Sequence, residues 1–302
     1  MNPPRQRPTG RAPRVLVTGV TGTVGACVAR ALGGEQAIVR GGARQLPKPA
    51  ARVPKVEYVG LDFADDNSIA KALRDVDALF LLTPLSARMP DQVTRIIRAA
   101  ANGGVRRVVR LSAFGAGEGI TRLGRVHREA EAIVENAGME WTLLRPNAFM
   151  QNYLNQHAAE IRARGRLRSP QGDGRVSLID ARDIAAVVAL ALTRSGHAGK
   201  AYELTGPEAI DDATVAAILS ANGGHTVHHE EISAALARAE MGTAGLPVWL
   251  IDLLLELYAL SRAGGAARVT PTCAELLGHA PRSFAEFARD HRAAFFPQVK
   301  GE

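Results

Sequence analysis

Three glycines, Gly19, Gly22 and Gly25, follow the short β-branched run Arg14-Val-Leu-Val-Thr18 at a spacing that opens a helix. Gly19 suits the tight turn off the strand. Gly22 lets backbone amides approach a pyrophosphate, and Gly25 lets the helix pack closely on the sheet. Hydroxyls at Thr21 and Thr23 flank the turn, and the amides from Thr21 to Gly25, Val24 included, lie at the positive end of the helix that follows. The chemistry expected here is binding of a dinucleotide's phosphates. The next strand-like run, Ala37–Arg40, should end where such a fold reads the adenosine ribose, with an Asp or Glu for NAD. No acidic residue stands between Glu35 and Glu57, whereas Arg40 and Arg44 offer two guanidiniums to a 2′-phosphate. NADP, as NADPH, is therefore favoured over NAD, although this arginine-rich chain would also place solvated arginines in such a loop.

These residues need strands to carry them. Strand-like runs at 15–18, 37–40, 56–59, 78–82, 107–111 and 141–144 alternate with helical patterns at 23–32, 68–73, 92–101 and 125–136. Strict alternation predicts an α/β fold with a doubly wound parallel Rossmann sheet. Ligands bind at the carboxyl ends of such strands, which singles out Gly19, Arg40, Asp62, Thr83, Ser112 and Arg145. Past residue 146 the alternation breaks down. The expected organisation is a disordered basic leader over 1–13, an NAD(P)-binding Rossmann domain over 14–150, and a mixed region over 151–302. That last region completes the sheet and forms a small C-terminal substrate lobe.

Composition narrows the partners. The formal charge of +7 is spread along the chain with no basic block interleaved with aromatics, so an anionic dinucleotide is a simpler partner than nucleic acid. Two cysteines, Cys27 and Cys273, give neither a disulfide framework nor a metal motif. The adjacent His228 and His229, with His225, face opposite ways on a strand, so no metal site is expected. No secretory pattern precedes residue 14, which suggests a cytoplasmic protein. The apolar stretch 246–260 is too short to span a bilayer and carries Asp252 and Glu256. Its Trp249, Leu253, Leu254, Leu257 and Tyr258 fall at helical spacing, which suits core packing or a lid over an apolar substrate.

In order along the chain, the landmarks are Val17-Thr-Gly-Val-Thr-Gly-Thr-Val-Gly25, Leu61-Asp-Phe-Ala-Asp65, Phe80-Leu-Leu-Thr-Pro84, Arg110-Leu-Ser-Ala113, Trp141-Thr-Leu-Leu-Arg-Pro-Asn-Ala-Phe-Met-Gln-Asn152, Asp180-Ala-Arg-Asp-Ile-Ala185 and Tyr202-Glu-Leu-Thr-Gly-Pro-Glu208. Together they resemble the NmrA-like branch of the atypical short-chain dehydrogenase/reductase superfamily, from residue 14 to about 290. The resemblance implies Asp62 and Phe63 beside an adenine, Thr83 and Pro84 along the cofactor, and Pro146, Asn147 and Phe149 beside the nicotinamide and substrate. Ordinary structural duties suit the same residues: Asp62 as a helix cap, Pro146 as a strand end, Phe149 as core.

The wider superfamily uses a Tyr-x-x-x-Lys pair as its acid, and this chain lacks it: no lysine lies between Lys71 and Lys200, and Tyr153 is followed at the fourth position by His157. Tyr153 suits a pocket wall. Some relatives place a Lys or His at the start of the helix after the fifth strand, which here is His127, the candidate proton donor; a surface histidine bonded to Glu131 is the alternative. The function expected is an NADPH-dependent reductase delivering hydride to a small conjugated electrophile such as a quinone, enone or imine, in the manner of natural-product biosynthesis. A dinucleotide-binding redox sensor without turnover and a non-redox isomerase or cyclase are the alternatives. The sequence leaves the oligomeric state open.

Overall fold

The computed structural model describes residues 12–33, 37–223 and 225–296. Residues 1–11 of the expected leader, and Glu35, lie outside them. The described chain forms two compact units, one running to Arg145 and resuming over Ile184–Glu203, the other comprising Pro146–Asp183 and the residues from Leu204 onward.

The first unit is built on β1 (Arg14–Thr18), β2 (Ile38–Ala43), β3 (Val56–Gly60), β4 (Ala78–Leu81), β5 (Arg107–Leu111), β6 (Glu140–Pro146) and a later strand. Between them run helices α1 (Thr23–Gly33), α2 (Asp66–Ala72), α3 (Met89–Asn102) and α4 (Arg122–Glu135). The seven strands lie in the order β3-β2-β1-β4-β5-β6, then the late strand, and the pairs β1–β2, β1–β4, β2–β3, β4–β5 and β5–β6 are parallel. Order and direction are those of a doubly wound sheet whose strand order reverses between β1 and β4. Leu16, Val17, Leu79 and Val108 are fully buried, as strands covered by helices on both faces require. The amphipathic α1 buries Val24, Val28, Ala29 and Leu32 against them.

Two expectations about element ends needed correction. Strand β2 runs through Gly41-Gly42 to Ala43 instead of stopping at Arg40. These glycines are packing sites within a strand: a Cβ at Gly41 would come within 2.8 Å of Val20, and one at Gly42 within 2.7 Å of Leu61. Helix α4 begins at Arg122, three residues before the expected start, because Thr121 caps it by accepting from the Gly124 amide at 2.9 Å.

The second unit contains α5 (Ala158–Arg164), β7 (Arg166–Ser169), the start of α6 (Ala181–Thr193), the end of the late strand β8 (Lys200–Leu204), α7 (Asp212–Gly223) and β9 (His228–Glu231). Helices α8 (Ala234–Thr243), α9 (Val248–Arg262), α10 (Thr272–Leu277), α11 (Phe284–Asp290) and α12 (Arg292–Phe295) complete it. Strands β7 and β9 pair in parallel as a separate small sheet. Its own core gathers Ile161, Leu167, Val215, Leu219, Phe284, Phe287 and Phe295. Among the described residues no helix is long and apolar enough to cross a membrane.

Candidate functional site

At the end of β1 the chain turns where the strand order reverses. Thr18 Oγ1 accepts from the Leu82 amide and donates to the Leu82 carbonyl, both at 2.8 Å, which stitches the ends of β1 and β4 together. Gly19 then adopts φ +63°, a conformation only glycine enters freely. The turn closes with the Gly22 amide on the Gly19 carbonyl at 2.9 Å. A Cβ at Gly25 would lie 2.1 Å from the Gly19 carbonyl oxygen, so this glycine lets α1 seat directly on the turn. At Gly22 a Cβ would meet nothing closer than that same oxygen at 3.3 Å, and Thr21, Gly22 and Thr23 are all exposed. The side chain of Val24 is in the core, and the first-turn amides of α1 have no partner within the helix. An exposed face at a helix N-terminus fits an anionic pyrophosphate.

The two arginines separate. Arg40 is only 9% exposed, and its guanidinium reaches Glu57 at 3.2 Å and the carbonyls of Ala72 and Arg74 at 3.1 and 2.6 Å. It caps the C-terminal end of α2 and is not placed to receive a phosphate, a correction that follows from β2 carrying it in mid-strand. Arg44 is exposed and is the first residue after β2. Asp62 is exposed and accepts from the Ala64 amide at 2.9 Å, while the cap of α2 is Asp65. Phe63, expected beside an adenine, instead packs in the core with Leu61 and Ile69. After β4, Thr83 is buried and Pro84 exposed.

Ser112 and His127 both take part in a buried polar network that alters the role expected of each. The Ser112 hydroxyl donates to Glu131 at 2.6 Å, so its proton is already engaged. Glu131 is 0% exposed and also accepts from Arg145 Nε and Nη2, both at 2.8 Å, and from Arg128 at 2.7 Å. Burial raises its pKa, but the hydrogen bonds from Arg145, Ser112 and Arg128 outweigh burial and hold the carboxyl at about 2. Arg110, also 0% exposed, donates to the Leu111 carbonyl at 3.2 Å and to His127 Nδ1 at 3.3 Å. A guanidinium has no acceptor, so that contact requires an unprotonated Nδ1. Burial and the Arg110 charge push the His127 imidazole down to about 3, against the pull of Glu131. His127 is thus held toward the neutral imidazole, and its Nδ1 contacts Arg110 instead of Glu131. His127→Ala is expected to leave the pH profile of turnover unchanged across neutral pH, as steady-state rates would show; loss of an imidazole limb would restore its catalytic role.

The remaining candidates belong to the second unit. Pro146 is the last residue of β6, and Asn147 is held on every side. Its Nδ2 donates to Ser177 Oγ and the Ala266 carbonyl at 2.8 and 2.9 Å, and its Oδ1 accepts from the Ala148 amide at 2.8 Å. This side chain ties loops of its own unit together and leaves no N–H for a nicotinamide. Phe149 and Tyr153 line a cavity of about 90 Å³ with His157, Ser169, Asp212 and Tyr258 among its other walls. Trp249 does not line it: α9 presents Tyr258 there, while Trp249, about two and a half turns earlier, is 41% exposed. The Tyr153 hydroxyl donates to Asp212 Oδ1 at 2.6 Å, and Ser169 Oγ donates to Asp212 Oδ2. Burial and the neighbouring Asp212 raise the Tyr153 pKa well above its ordinary value, so its proton stays on.

Comparison with known proteins agrees with the cradle. Residues 19–195 match the family model described as NAD(P)H-binding. The chain belongs to that family. Its fold is shared with the solved structure of NmrA, which superposes with a TM-score of 0.71 at 16% identity. The chain is 40% identical over 290 residues to an NAD(P)H azoreductase of Xenophilus azovorans, covering 93% of this chain and 99% of that protein. It is 38% identical over 286 residues to a (4-alkanoyl-5-oxo-2,5-dihydrofuran-3-yl)methyl phosphate reductase of Streptomyces griseus, covering 94% and 100%. An NADPH-dependent quinone oxidoreductase of Escherichia coli, solved with NADPH, superposes with a TM-score of 0.80 at 27% identity, covering 91% of this chain and 99% of that one. This NAD(P)H-binding protein is an NAD(P)H-dependent oxidoreductase.

Within the NAD(P)H-binding protein, the residues that sequence reasoning missed are polar and buried. Asp212 follows Asp211, whose side chain accepts from the Thr214 amide at 2.7 Å, so the pair reads as helix capping and gives no sign that one carboxylate faces a cavity. Tyr258, by contrast, falls in a helical apolar stripe that suits core or lid, and it lines the cavity. Arg110 occupies a β5 position, where alternation alone predicts nothing about a fully buried guanidinium.

Proposed function

We propose that this oxidoreductase uses NADPH to reduce a small, flat, conjugated electrophile of the quinone, enone or imine class. The observation that carries the reading is the glycine turn at the head of α1, with Gly22 exposed and with Arg44, also exposed, as the first residue past β2. Bound there, NADPH would supply the hydride. The chain's own contribution to that step is orientation, which by itself lowers a bimolecular barrier substantially. The reductases it resembles over nearly their whole length, which act on azo, quinone and unsaturated lactone compounds by their names, support an acceptor of this class.

Arg44 is the proposed reader of the 2′-phosphate. NADPH is expected to bind at least about tenfold more tightly than NADH, and Arg44→Ala to remove most of that preference, a charge-assisted contact being worth roughly 1.5–3 kcal/mol. Calorimetric titration with both cofactors measures it, and equal affinities in the unmodified protein would sink the assignment. Following cofactor absorbance with a panel of quinones, enones and imines tests the reaction itself; an inert panel argues against the acceptor class.

A further inference from the structure

The cavity of the second unit has one wall that its apolar lining does not explain. Asp212 is 3% exposed, yet it faces this space. Both its oxygens accept hydrogen bonds from hydroxyls, Oδ1 from Tyr153 and Oδ2 from Ser169, which is the pattern of an ionised, acceptor-only carboxylate. Among the described residues no arginine or lysine pairs with it. Its compensation comes from those two hydroxyls and from the N-terminal turn of α7, to which it belongs. The nearest basic side chain in the wall, His157, has its pKa lowered by burial against the pull of Asp212, so it brings no settled positive charge. Aromatic rings of Phe149, Tyr153 and Tyr258 complete the walls. A desolvated anion lacking a cation, ringed by aromatic groups, attracts a cationic ligand both through charge and through the faces of the rings.

We propose that this cavity receives a cationic group carried by a small organic ligand, held by the Asp212 carboxylate and by the faces of the aromatic walls.

The test compares 1-methylpyridinium with pyridine, a pair of single-ring probes, by ligand-observed NMR titration of the full chain with NADP present, at a mildly alkaline pH where pyridine is uncharged. Neither probe is turned over, so the measurement is independent of the reductase assay described above, and an inert electrophile panel would count against that reading alone. The cation is expected to bind about tenfold or more tightly than pyridine, on the scale of a partly desolvated cation–π and ion-pair contact. Asp212→Asn is expected to bring the two within about twofold while leaving pyridine affinity in place. Should that variant fail to fold, Tyr258→Leu removes one aromatic wall and is expected to weaken the cation selectively. Equal affinities in the unmodified protein, no binding of the cation, or a preference that survives both substitutions would each overturn the proposal.

Discussion

Gly22→Val is expected to abolish NADPH binding in a calorimetric titration while keeping a cooperative unfolding transition within about 1 kcal/mol of the parent, as substitutions at open surface positions generally do. Gly25→Ala, a smaller change three residues on, is expected to lose both binding and stability. The contrast comes from what each new Cβ meets. At Gly22 it meets only the Gly19 carbonyl oxygen, at 3.3 Å, and otherwise enters open space. That space is where a pyrophosphate would approach the helix amides, so the valine competes with the ligand and not with the fold. At Gly25 the nearest atoms are backbone: the Gly19 carbonyl oxygen at 2.1 Å, its carbon at 2.6 Å and the Val20 nitrogen at 3.0 Å. Backbone in a stitched turn cannot rotate aside as a side chain can. Helix α1 must lift from β1, an overpacking cost on the order of 1–3 kcal/mol that also scatters the cradle amides. NADPH binding by Gly22→Val comparable with the parent's would relocate the phosphate site. A stable, binding-competent Gly25→Ala would show that the turn yields more readily than its geometry indicates.

The same glycines show what a sequence can and cannot disclose. The glycine turn was legible because its requirements are local: the turn at Gly19 and the helix seating at Gly25 fall within seven residues, and each demands a particular residue type. The parallel sheet was legible for a similar reason, since buried strands read as short apolar runs between helical periods. Gly41-Gly42 was misread because a glycine pair in a loop and one in a crowded strand look alike until Val20 and Leu61 are seen packed against them. That one error displaced Arg40, whose guanidinium turned to the end of α2 once the strand ran past it. His127 failed differently. Its position on α4 was legible, but its protonation depends on burial and on Arg110, seventeen residues away on β5, and no local pattern reports a contact between two elements. Tyr153 was legible as a wall. Asp212, the carboxylate it bonds, was not, because the two are 59 residues apart.

Glu131→Gln is expected to produce the largest loss of stability, on the order of 3–5 kcal/mol at neutral pH, the usual consequence of removing one charge from a buried pair. The carboxylate accepts four charge-assisted or hydroxyl bonds, from Ser112, Arg128 and twice from Arg145, and no part of it reaches solvent. Glutamine keeps the shape but offers one oxygen, and its NH₂ would confront guanidinium donors that have nothing to receive it. Arg110 makes the loss worse: it is fully buried, its Nε has no hydrogen-bond partner among the described residues, and the Glu131 charge is the favourable influence on its ionised form. The pH dependence fixes the sign. The folded carboxyl is held at about 2, below its ordinary value of 4.5, so between those limits the unfolded chain binds a proton that the folded chain does not. The stabilisation is therefore complete above the ordinary value, and it fades as pH falls toward about 2. Urea denaturation of parent and variant at neutral pH and at successively lower pH would test this, with the gap between them shrinking toward acid. A gap that stays constant with pH would mean that packing, and not the charge on Glu131, holds β5, β6 and α4 together.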